Sequence, residues 1–119
     1  MDERSVSNKY TEEDAILIKQ NHSLIPVPVS EVVAISALRD YIQMYAKGRS
    51  KPYVLYKTLK EMYSALPEGK FVQIHRSHVV RISEIKKINP SSLCVDEMEL
   101  PLSRSFRQEL KAKTSHLKK

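Results

Sequence analysis

His75, His78 and Cys94 are the side chains a divalent metal would take first, and the sequence argues against a site. A closed zinc centre needs four ligands, and the chain has neither a second cysteine nor a C-x-x-C pair. Read along one strand, residues three apart point to opposite faces, which would separate the two histidines. Cys94 lies between Leu93 and Val95 in an alternating run, and its sequence neighbours Asp96 and Glu97 are acidic, the opposite of the electropositive surroundings a reactive thiolate needs. It reads as a packing or surface cysteine and not as a nucleophile. Asp96, Glu97 and Glu99 are the nearest thing to paired carboxylates, but they crowd an expected turn with no cleft behind it. Gly48 and Gly69 are the only glycines, so neither a P-loop nor a G-x-G-x-x-G fingerprint exists. No catalytic residue, metal or cofactor is expected, and the chain does not read as an enzyme.

The basic residues carry more information. Arg39, the group Lys47, Arg49 and Lys51, then Arg76, Lys86, Lys87, Arg104 and Arg107 all fall at expected loops or element ends. The net charge of +6 is unevenly spread: residues 1–31 hold three Lys/Arg against six Asp/Glu, and residues 32–119 hold seventeen against eight. A basic body behind an acidic leading segment suits a polyanionic partner. Reading DNA needs phosphate contacts for register and long side chains at base edges, and arginine's fork matches guanine O6 and N7. Cations on many separate loops point to a long footprint and not to one recognition helix. Stacking of unpaired RNA bases would need exposed aromatics, whereas these sit mainly in strand or helix patterns.

The elements that must position these residues are short. Residues 1–11 read as a tail or linker stub and 12–119 as one domain. Ala15–Lys19 and Val32–Ile35 are strand-like, and Pro26 and Pro28 place Leu24–Val29 at a sheet edge. Tyr41–Tyr45 and Tyr53–Tyr56 flank a basic hairpin tip. Thr58 and Glu61 form a capping box ahead of Leu59, Met62, Tyr63 and Leu66, with Pro67 to Gly69 ending the helix. Phe71–Ile74, Val79–Ile82 and Ile85–Ile88 resume β character, and Leu93 to Leu102 alternate about Asp96-Glu97. Ser103 or Ser105 is expected to cap a last helix with Phe106, Leu110 and Leu117 on its apolar stripe. No internal repeat is evident. The longest apolar stretch, Val32–Leu38, is too short to span a bilayer, the first residues do not resemble a leader, and one cysteine agrees with a reducing compartment. A cytoplasmic protein without membrane contact is expected.

The segment FVQIHRSHVVRISEIKKI (Phe71–Ile88), followed after ten residues by ELPLSR (Glu99–Arg104), resembles the LytTR DNA-binding domain family. That family carries an F-x-R-x-H-R-S-Y-I-V-N-like strand pair and an I-P-V-S-R-like strand end. Val32–Ile35, Tyr41 and the T-L-K-E helix start at Thr58 match its earlier elements, and the resemblance runs from about Ala15 to Leu117. It implies a mainly β, elongated antiparallel multi-sheet fold of about ten short strands with one or two small helices. It further implies sequence-specific binding of double-stranded DNA by a bacterial transcription regulator, with loops entering successive major grooves at paired direct repeats near promoters. Dimerisation on DNA and an upstream receiver or other signalling domain belong to the same picture. By motif, Arg76 and Arg104 occupy base-contacting positions, with Arg39 in a third loop. His75, Ser77, Lys86 and Arg107 fall to the phosphates. The chain departs from the pattern at His78, where an aromatic is usual, at Arg81, where asparagine is usual, and at Glu99, where glycine often stands. Arg81 is expected to add charge near the interface. The alternative reading is a non-enzymatic β-domain that binds an acidic protein partner.

Overall fold

The structure, a computed structural model, describes residues 9–115. The elements are β1 (Ala15–Gln20), β2 (Ser23–Pro28), β3 (Val32–Leu38), β4 (Tyr41–Ala46), β5 (Tyr53–Leu55), α1 (Leu59–Ala65), β6 (Phe71–His75), β7 (His78–Arg81), β8 (Ile85–Ile88), β9 (Ser92–Val95), β10 (Met98–Pro101) and α2 (Arg107–Lys113). Short 3-10 turns occupy Val29–Glu31, Ile82–Glu84 and Arg104–Phe106. The strands form a central sheet in the order β5-β4-β3-β7-β6, a pair β1-β2 and a triple β10-β9-β8, all antiparallel. With extents of 42 × 34 × 25 Å, this is the elongated, mainly β fold the sequence led us to expect.

The central sheet is covered on both faces, which explains why Val32–Ile35 of β3 is a continuous apolar run and does not alternate. Val32 and Ile35 face a core completed by Ile16, Ile18 and Val27 of the β1-β2 pair and by Leu59, Met62 and Leu66 of the α1 region. Val33 and Ala34 face a second core with Val72, Ile74, Leu93, Val95, Leu102 and Leu110. The capping box of α1 is formed: Thr58 Oγ1 accepts from Glu61 N at 3.0 Å, and Glu61 Oε1 accepts from Thr58 N at 2.9 Å. The backbone bond from Thr58, then its hydroxyl, hold the Glu61 carboxyl below its ordinary pKa. Tyr10, in the leading segment, donates its backbone N–H to Ala65 O at 2.7 Å and packs on the first core. At the last helix the expected serine cap is absent. Arg104–Phe106 winds as a 3-10 turn, α2 begins after Phe106 with no side-chain cap, and the Ser103 and Ser105 hydroxyls bond each other at 3.1 Å. Leu110 is buried as expected, and Leu117 lies outside the described residues.

The fold contains an internal structural repeat that the sequence reading missed. Hairpin β1-β2, the turn Val29–Glu31 and hairpin β3-β4 follow the same plan as hairpin β6-β7, the turn Ile82–Glu84 and hairpin β8-β9. Val29 N donates to Asp14 O where Ile82 N donates to Lys70 O, and Lys47 N donates to Glu31 O where Asp96 N donates to Glu84 O. Each second hairpin carries a bulge one step into its first strand, between Val32 and Ala34 and between Ile85 and Lys87. Hairpins β3-β4 and β6-β7 join through β3 and β7 to make four strands of the central sheet, while β1-β2 and β8-β9 fold out over opposite faces. The two 3-10 turns are the points where the chain changes layer.

Arg81 seals the seam between the two copies. It is 5% exposed. Nε donates to Val32 O at 2.6 Å, Nη2 donates to Val29 O, and Nη1 pairs with Glu12 at 2.9 Å. Its guanidinium carbon lies 4.6 Å from the centre of the Phe71 ring, its cross-strand partner. The expectation that Arg81 adds charge near the interface is therefore corrected. Its donors satisfy the carbonyls of the other copy's turn, and Glu12 compensates its charge, as a buried cation requires.

Candidate nucleic-acid interface

The loops that carry the three expected base readers meet at one end of the central sheet. Leu38 pairs with Tyr41, leaving Arg39-Asp40 as a two-residue tip, and His75 pairs with His78, leaving Arg76-Ser77 as another. Pairing of Ser36 with His78, and a 2.8 Å bond from Ala37 N to Ser77 O, set the two tips side by side. Ser103 N donates to Ile74 O at 2.8 Å, which brings Arg104 to the outer side of β6 at the same end. All three arginines are exposed. Four strand spacings of ~4.8 Å make this end roughly 20 Å wide, about six base pairs of duplex at ~3.4 Å each.

Arg39 holds a left-handed backbone at φ +57°. Asn21 and Asp96 adopt the same conformation at their hairpin tips, where their short side chains favour it. Arginine has no such compensation, so the left-handed backbone at Arg39 costs on the order of 1 kcal/mol.

His75 and His78 are not on opposite faces, as residues three apart on one strand would be. The tight turn makes them cross-strand partners, with ring centroids 5.1 Å apart. Nδ1 of His75 accepts from Ser77 N at 3.0 Å, so neutral His75 carries its proton on Nε2 and offers a donor. A phosphate oxygen suits that donor; a metal does not. Nδ1 of His78 bonds Ser36 Oγ at 2.7 Å. Burial, and then the charge of His75, push the His78 pKa below its usual value. Among the described residues no three or more His, Cys, Asp or Glu side chains cluster as a metal site. Cys94 is half-buried on β9 opposite Glu99, in a different sheet from the histidine pair.

The remaining basic residues divide. Arg107 donates through Nη2 to Pro90 O, tying the start of α2 to the β8-β9 loop, whose Ser91 O accepts from Leu102 N. Lys86 is exposed on β8, two residues from Glu84, and the structure does not bring it to the arginine end. Glu84 holds Lys47 at 2.9 Å, at the opposite end of the central sheet. The basic tip of Lys47, Arg49 and Lys51 lies at that far end, with Arg49 folded over the Tyr53 ring at 3.9 Å. It does not join the cluster, although nothing in the residue pattern sets it apart.

Sequence reasoning also missed a continuous row of side chains below the tips. Val54, Gln43, Ser36, His78 and His75 are successive cross-strand partners over all five strands, so they share one face. Beside them Tyr41 and Tyr56 meet edge to face at 5.4 Å. Alternation within each strand was legible; the order of strands that assembles the row was not.

The profile of the LytTr DNA-binding domain family matches residues 22–115, and the chain belongs to that family. This is a family of DNA-binding domains and not an enzyme class. The fold is similar to that of the LytTr DNA-binding domain of a response regulator from Bacillus cereus, with a TM-score of 0.71 and 26% identity over 85% of this chain and 96% of that one. Among curated proteins, a response regulatory protein of Vibrio cholerae is 29% identical over 71% of this chain and 35% of its own length. The sensory transduction protein LytT of Bacillus subtilis is 24% identical over 87% and 45%, and the transcriptional regulatory protein YpdB of Escherichia coli 27% over 84% and 43%. The chain thus spans less than half the length of these relatives. Among the described residues no helix is long and apolar enough to cross a membrane.

Proposed function

We propose that this domain binds double-stranded DNA sequence-specifically as the output part of a bacterial transcription regulator, inserting hairpin tips into successive major grooves. One observation carries the reading: three arginines on three separate loops, Arg39, Arg76 and Arg104, converge at one end of a rigid sheet. A two-stranded tip fits a major groove about 12 Å wide, and an arginine at its apex reaches guanine O6 and N7. His75 through Nε2–H, the Ser77 hydroxyl and Arg107 flank the readers and serve phosphates, with Lys86 as a more distant backbone contact. Paired direct repeats would seat two copies, and an upstream receiver or other signalling domain would supply the switch, in the cytoplasm.

Binding of Arg104→Ala and Lys86→Ala to a selected and a scrambled duplex tests the assignment. Loss of a base-reading arginine costs roughly 1–3 kcal/mol on the selected site and flattens discrimination at one or two base pairs. Loss of a phosphate contact weakens both duplexes alike and lowers the salt slope by about one unit. Equal weakening of both duplexes by a normally folded Arg104→Ala would refute its role.

A further inference from the structure

Four of the large apolar side chains exposed on this protein gather beside Arg39. Leu38 is 47% exposed, Tyr41 46%, Val54 43% and Tyr56 78%. Leu38 and Tyr41 are the cross-strand pair that flanks the Arg39-Asp40 tip, Tyr56 packs on Tyr41, and Val54 lines the same concavity with Leu38, Arg39 and Tyr41. We infer that this patch is a specificity-determining surface that contacts thymine methyl groups next to the base pair read by Arg39. The inference rests on the DNA reading above. Wherever the tip enters a groove, Leu38 and Tyr41 enter with it, because they are the residues immediately on either side. The C5-methyl of thymine is the one apolar group that base edges present in the major groove. Arg39, which lines the concavity with Leu38, Tyr41 and Val54, supplies a cation that matches a polyanion. Addition of a second copy at this edge fits less well. β5 has only three residues, follows Pro52, and its Val54 carbonyl already accepts from Gln20 Nε2 at 3.4 Å.

The test uses a duplex enriched from random DNA by the whole chain, then remade with each thymine in turn replaced by deoxyuridine. Wild type loses affinity about fourfold at one or two thymines, the value of one buried methyl. Leu38→Ala and Tyr56→Ala, both at exposed positions, bind the thymine and uracil duplexes alike while retaining discrimination at the base pairs sensitive to Arg104→Ala. Three results overturn the inference: no thymine is sensitive, the variants keep the wild-type sensitivity, or they lose a second bound copy in sedimentation instead of losing thymine discrimination. Failure of wild type to enrich any duplex would remove the DNA reading itself, which is a different and separable result.

Discussion

The two copies of the hairpin–turn–hairpin unit share a plan but have been put to different uses. In the first, the leading hairpin β1-β2 covers a core and its tip, Asn21-His22, ends in residues that suit a tight turn. In the second, the leading hairpin β6-β7 is built into the central sheet, and its tip is Arg76-Ser77. The turns differ at their leading residue as well: Pro28 precedes Val29–Glu31, while Arg81 precedes Ile82–Glu84. Proline fixes the backbone and offers no donor. Arginine at the equivalent place reaches back and satisfies carbonyls of the first copy's turn. The leading hairpin of the first unit therefore supplies framework, while that of the second carries the Arg76 tip at one end and the clasp between units at the other.

The largest effect expected from this comparison is at the clasp. Arg81→Met leaves the Val29 and Val32 carbonyls without these donors and the Glu12 carboxylate without its cation, and lowers unfolding free energy by about 3 kcal/mol. Glu12→Gln takes the counter-charge from a buried guanidinium that keeps its two carbonyl acceptors, and from a carboxylate a third exposed, so it costs less than Arg81→Met. Denaturant unfolding compares them; equal midpoints for Arg81→Met and wild type would mean the seam is held by something else.

The equivalent tips come next. Arg76→Ala is expected to cost roughly 1–3 kcal/mol of binding to a selected duplex, whereas His22→Ala at the corresponding tip changes binding little. Comparable losses at both tips would erase the functional distinction between the units. Arg39 sharpens the same contrast in stability. Arg39→Asn, which places at the β3-β4 tip the residue type that β1-β2 already uses, should gain on the order of 1 kcal/mol by relieving the left-handed backbone. The same variant should bind the selected duplex more weakly. A melting temperature that falls would show that the tip is not strained.

Much of this arrangement was legible from residue patterns. Thr58 and Glu61 announced the cap of α1, the prolines of β2 kept it out of the central sheet, and Leu93 to Leu100 alternated as a hairpin must. The motif at His75-Arg76-Ser77 marked the tip of hairpin β6-β7. Other features depended on contacts distant in sequence. Arg81 reads as surface charge until the turn 52 residues earlier is folded against it. The repeat leaves one short trace, Val29-Ser-Glu-Val32 against Ile82-Ser-Glu-Ile85, too brief to stand out before the matching hydrogen bonds were seen. The histidines were misassigned because alternation along one strand does not apply across a two-residue turn.

The smallest effect concerns His78, which the second unit places against Ser36 of the first. Its pKa lies below the usual 6.5, chiefly because half-burial disfavours the imidazolium and then because His75 is adjacent. The unfolded chain, with an ordinary histidine, takes up a proton first as pH drops. Stability from this group is therefore complete above about pH 6.5 and declines as pH falls below it. His78→Phe restores the aromatic type that resembles the family pattern and removes the titrating group, so its melting temperature should fall less than that of wild type between pH 7 and 5. His22→Ala, at an exposed tip, controls for a histidine without such an environment. If His78→Phe and wild type lose stability in parallel over that range, the pH dependence lies elsewhere and the Ser36–His78 contact is only a packing contact between the units.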